Sequence, residues 1–179
     1  MEIKAPFYNL VNIFMPGLVF IGSCILLFLN EMKSIVGTIT GIGNTGFDVI
    51  VTVSCFAIAY EVGYILFRLG AVFIEPILRR MFGWSDYNDF IAVGKTSENA
   101  YKKLDMLSRE YGYARTQILL FVVLSILTGI RAHWWIMGIC ICCIVLFAAT
   151  ACGHMKRLQK AVKKYLTAQS KKSEIVNND

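Results

Sequence analysis

Glu61, Tyr64 and Arg68 are the residues of this chain whose types and spacing point most directly to chemistry. Tyr64 follows Glu61 by three positions and Arg68 follows it by seven, so on a helix the three line one stripe. They interrupt a long apolar run from about Phe47 to Ile74. A charge at membrane depth costs roughly 2.5–3.5 kcal/mol even on the most lenient insertion scale, so such a stripe must face protein or water. Two helical turns span about 10 Å, too far for a direct pair unless Glu61 and Arg68 reach toward each other or another helix. Two readings follow. The stripe lines a pore or polar cavity made by several copies around an axis, or it forms an interhelical hydrogen-bonded network that only holds a bundle together.

A second set of charged residues lies near the C-terminus, where Lys156, Arg157, Lys160, Lys163 and Lys164 surround an apolar stripe. Clustered cations of this kind attract anionic lipid or a negatively charged ligand such as a nucleotide. Glu75 and Arg79, four apart, read as a helix-end ion pair of little consequence. Arg115, at the start of another apolar run, is placed to snorkel to lipid headgroups. The six cysteines (Cys24, Cys55, Cys140, Cys142, Cys143 and Cys152) all sit in apolar segments and read as small packing residues. Cys140, Cys142 and Cys143 lack a partner group at zinc spacing, so no metal is assigned.

Gly41, Gly43 and Gly46 match a dinucleotide-binding pattern, but that motif needs a βαβ unit, and here the stretch joins two apolar runs as an ordinary turn. The same stretch, from Thr38 to Gly43, faintly resembles a carbonyl-lined filter without its pore helix. No serine elbow or His-Glu-x-x-His occurs, and neither His133 nor His154 has a carboxylate partner evident in sequence. The reading is therefore of a protein that is not an enzyme, with no cofactor and no DNA partner.

The elements that must position these residues are membrane helices. Of 179 residues, 56% are hydrophobic and 17% charged, too little polar surface to cover a soluble core. A hydrocarbon layer about 30 Å thick requires roughly 20 apolar residues per span. Spans are expected over 11–29, 47–74, 114–130 and 134–152, giving an all-α integral membrane protein with four transmembrane helices in a single membrane domain. Pro16 and Gly17 are expected to bend or restart the first. Only Arg131, Ala132 and His133 separate the last two, which makes them an antiparallel hairpin.

Positive charge concentrates in the 76–113 loop and the 153–179 tail. The positive-inside rule then places both, and the N-terminus, in the cytoplasm. Ser97 or Thr96 is an expected N-cap, after which Ala100, Leu104, Leu107, Tyr111, Ala114, Ile118 and Phe121 form a regular apolar stripe that carries the third helix into the cytoplasm. Met155, Leu158, Val162 and Leu166 do the same for the fourth, and residues from Ser170 onward are expected to be disordered. Those stripes are buried either by self-association into a homo-oligomer or by packing within the hairpin itself.

The stretch Tyr60-Glu61-Val62-Gly63-Tyr64-Ile65-Leu66, followed by Glu110-Tyr111-Gly112-Tyr113-Ala114-Arg115, resembles small bacterial multi-span membrane effectors associated with antiphage defence, of the Hailong type. The resemblance covers about half the chain and rests on short motifs. It implies an oligomeric channel or pore in the bacterial inner membrane, closed until a nucleotide second messenger or a phage cue acts on the cytoplasmic part. Bottom-up, the alternative is a non-conducting accessory or scaffold subunit whose Glu61 and Arg68 pair with a different protein.

Overall fold

A computed structural model of the chain describes residues 4–31, 33, 37, 45–83, 92–93 and 98–176. Among these the elements are four α-helices: α1 (Lys4–Leu27), α2 (Thr45–Phe82), α3 (Glu98–Ile130) and α4 (Trp134–Val176). Each contains a stretch long and apolar enough to cross a membrane. At 1.5 Å per residue the 43 residues of α4 measure about 65 Å, twice the hydrocarbon thickness. The Gly41–Gly46 turn and the expected N-cap at Thr96 or Ser97 lie outside the described residues, apart from Thr45 and Gly46.

Close backbone approach fixes the crossing of α1 and α2. A Cβ built on Gly17 would overlap the carbonyl oxygen of Ala59, and one on Gly63 the carbonyl oxygen of Ile13. Pro16 is fully buried at the same crossing and α1 continues through it. In a bilayer no hydrophobic force would draw two such helices together, and small residues that bring backbones into van der Waals contact supply the association instead. The α2–α3 crossing is looser: a Cβ built on Gly70 would meet Thr116 Cα at 3.6 Å and one on Gly112 the Phe67 ring at 3.4 Å, both ordinary van der Waals contacts. Buried Thr116 donates its hydroxyl proton to the Gly112 carbonyl at 2.9 Å, which satisfies its own polar group.

The most extensive association is the α3–α4 hairpin. Its turn ends α3 with Ala132 at φ 57°, and the His133 N–H donates to the Thr128 carbonyl at 2.9 Å while Ala132 N–H donates to Gly129 at 3.1 Å. That is the double bond pattern of a Schellman stop, with alanine where glycine is usual. At this end Arg131 donates to Glu31 at 2.5 Å and lies 4.2 Å from the centre of the Phe28 ring. The hydrogen bond from Arg131 is the chief reason that the Glu31 carboxyl lies below the ordinary carboxylate range.

At the opposite end the two stripes meet each other. Ala100 and Leu104 of α3 bury against Leu158 and Val162 of α4 together with Val93, and Tyr111, Ala114 and Ile118 bury against Ala151, Met155 and Leu78. Each fully buried Leu or Val outside the hydrocarbon contributes about 1.5–3 kcal/mol. The stripes are thus covered within one chain, and self-association gains no support from them. Two expected boundaries also move. α2 runs through Pro76 to Phe82 because Leu78 is anchored in the hairpin core, and Gln159 of α4 donates to the Gly83 carbonyl at 2.9 Å. α4 remains helical through Val176, beyond Ser170, on a segment containing the helix formers Ala, Gln, Lys and Glu.

Gly63→Leu is expected to lower stability by about 2 kcal/mol or more through overpacking, whereas Gly22→Leu, where a Cβ meets nothing within 4 Å, should change it by less than about 0.5 kcal/mol. Equilibrium unfolding in mixed micelles measures both.

Candidate functional site: two polar clusters on the second helix

The inward face of α2 is lined by Ala59, Gly63, Leu66 and Gly70, all buried. Glu61, Tyr64 and Arg68 fall on the flank that this register turns outward, and all three are exposed. Arg68 donates from Nε (2.9 Å) and Nη2 (2.6 Å) to the Tyr64 hydroxyl, and its guanidinium carbon lies 5.1 Å from the Tyr64 ring centre. The structure therefore joins two of the three expected residues. Glu61 has no hydrogen-bond or ionic partner among the described residues. Around the stripe the flank is apolar, with Phe56, Ile58, Ile65, Leu69 and Val72 exposed.

The second cluster, at the end of α2, was not legible as a site. Glu75 takes a proton donor from each side: Arg79 at 2.5 Å on its own helix and Arg115 Nη1 from α3. Arg115 is 7% exposed, wedged 5.2 Å from the Phe67 ring centre and 5.9 Å from that of Tyr111. Glu75 is the counter-ion that holds Arg115 in this place, so its role goes beyond the helix-end pair with Arg79 that the sequence suggests. The Arg115 Nε has no hydrogen-bond partner among the described residues. Tyr111 precedes the 114–130 span; burial pushes its phenol up to about 12, and the Glu75 charge adds to the rise.

A cavity of about 440 Å³ opens beside this cluster, where α1, α2 and α3 meet. Its walls include Asn12, Phe67, Glu75, Asp105, Ser108, Arg109, Tyr111 and Arg115. Asp105 and Arg109 pair at 2.5 Å on α3. Nearby, His154 Nδ1 of α4 lies 3.1 Å from a Glu110 carboxylate oxygen, close enough for an ion pair but misaligned for a hydrogen bond. The carboxylate partner of His154, absent from its sequence surroundings, comes from the neighbouring helix.

Lys156, Arg157, Lys160, Lys163 and Lys164 are all exposed on α4, away from the face that holds Met155, Leu158 and Val162. They form a basic surface and take no part in the cavity. All six cysteines are free thiols; Cys140 packs into the apolar cluster of Leu66, Leu119, Leu120 and Leu124, while Cys55 and Cys142 are exposed. No family model matches the chain, and neither a curated protein nor a solved structure matches it.

Removing one partner of a buried pair leaves an uncompensated charge, so Glu75→Ala is expected to cost about 3 kcal/mol or more, while Glu75→Gln/Arg115→Met recovers most of the loss. Unfolding of the three proteins in mixed micelles checks the order; a Glu75→Ala chain as stable as the wild type would show that the pair contributes little.

Proposed function

We propose that the chain is an oligomeric effector of the bacterial inner membrane, copies of which assemble an ion channel or pore with the α2 stripe at its polar lining. The observation that carries this reading is the outward exposure of Glu61, Tyr64 and Arg68 on a helix long and apolar enough to span a membrane. Tyr64 satisfies part of the Arg68 guanidinium, yet Glu61 has no partner among the described residues. Facing lipid, each charge would cost roughly 2.5–3.5 kcal/mol. Facing a second copy or a water-filled conduit, it would not.

The distribution of Lys and Arg supports an orientation with the N-terminus, the α3–α4 stem and the basic tail in the cytoplasm. On that side the exposed cations of α4 meet either anionic lipid of the inner leaflet or a nucleotide signal. A ligand that binds the open and closed states unequally shifts their populations by that difference in affinity. The resemblance to antiphage effectors supplies the setting, in which opening dissipates the membrane potential of an infected cell.

Induced expression in bacteria with a voltage-sensitive dye, with and without phage infection, tests the proposal. Wild-type chain is expected to depolarise the cells, and Glu61→Gln/Arg68→Gln at equal membrane level to do so less. An unchanged potential under every condition favours a non-conducting accessory subunit.

A further inference from the structure

The cavity between α1, α2 and α3 presents a balanced set of charges. Arg109 and Arg115 line it together with Asp105 and Glu75. Its volume of about 440 Å³ lies within the range of about 300–1,000 Å³ typical of small-molecule sites. It sits beside Glu75 and Arg115, where the apolar run 47–74 ends and the run 114–130 begins, the depth at which a bilayer would change from acyl chain to headgroup. Its walls change in the same sense, from Ile13 and Phe67 to the charged groups of α3.

One group in this wall is incompletely used. The Arg115 side chain is 8% exposed, and its Nε has no hydrogen-bond partner among the described residues. A guanidinium with a spare N–H suits a phosphate oxygen, the geometry for which arginine is favoured. A ligand bearing only negative charge would also meet the carboxylates of Glu75 and Asp105. A ligand carrying a phosphate and an amine meets both signs at once.

We propose that this cavity binds a phosphoethanolamine group, the headgroup of an aminophospholipid of the inner leaflet, with its phosphate toward Arg115 and Arg109 and its ammonium toward Glu75 and Asp105. The site depends on the inserted orientation described above and not on conduction, so lipid retention and depolarisation succeed or fail separately. It differs from the exposed basic surface of α4, whose uncompensated cations suit anionic lipid without discrimination.

Native mass spectrometry of the full chain, released from nanodiscs of equal phosphatidylethanolamine and phosphatidylglycerol, tests the assignment. Phosphatidylethanolamine is expected to be retained about tenfold more than phosphatidylglycerol, a difference of about 1.4 kcal/mol. Ser108→Phe fills the cavity from an exposed wall position and should abolish the preference while circular dichroism stays helical. Arg115→Lys keeps the charge but loses the planar fork, and should reduce the preference in part. Soluble phosphoethanolamine that displaces the lipid at matched concentration identifies a soluble source for the same group, and failure to displace it identifies the lipid. Equal retention of the two lipids, or a preference that survives in well-folded Ser108→Phe, overturns the proposal.

Discussion

The Glu75–Arg115 ion pair is the interaction on which the arrangement of the second and third helices rests. A buried guanidinium is tolerable only with a counter-charge and aromatic surface beside it, and Glu75, Phe67 and Tyr111 supply both. Because Glu75 directly follows the apolar run 47–74 and Arg115 stands at the start of the run 114–130, the pair sets the relative height of the two helices. The small-residue crossings then follow. With that height fixed, Gly70 meets Thr116 and Gly112 meets Phe67, and the α3–α4 stem receives Leu78 and the Gly83 carbonyl from α2.

One consequence is that α2 is a two-sided helix. Its inner side is committed to α1 through Ala59 and Gly63, which allow no slack: a single methyl group on Gly63, or on Gly17 of α1, would collide with backbone. Its outer side carries the charged stripe amid exposed apolar residues. A side chain cannot migrate from one side to the other without breaking the crossing, so the helix cannot rotate to hide Glu61. No described residue of the chain compensates that charge.

Much of this was legible in the sequence. The spans announce themselves by length and apolarity, and the stripe from Ala100 to Ile118 and the tail stripe from Met155 to Val162 predict a helical stem that the structure contains. What periodicity could not tell was where those stripes find cover, because packing within the hairpin and between copies use the same residues. The loop expected from position 76 begins instead as helix, because tertiary contacts of Leu78 outweigh the hydrogen bond lost at Pro76. The Glu75–Arg115 and Glu110–His154 pairs were hidden for a different reason. Their partners lie on different helices, and a single sequence records neither the register of one helix on another nor which of several nearby charges it selects. The signal in the sequence that points to Arg115 is its position next to the apolar stripe, between Ala114 and Ile118, where a lipid-facing arginine is unusual.

The account turns on whether the outward stripe of α2 meets water and another copy of the chain. The most direct measurement places a single thiol at the stripe by Tyr64→Cys in a chain whose six native cysteines are replaced by alanine, then treats intact membranes with a short bifunctional maleimide. Because the reagent needs an aqueous thiol and a second one within reach, covalently linked homo-oligomers are the predicted result. A chain that stays monomeric and unlabelled, at normal membrane level, would place the stripe against lipid or a different protein and contradict it.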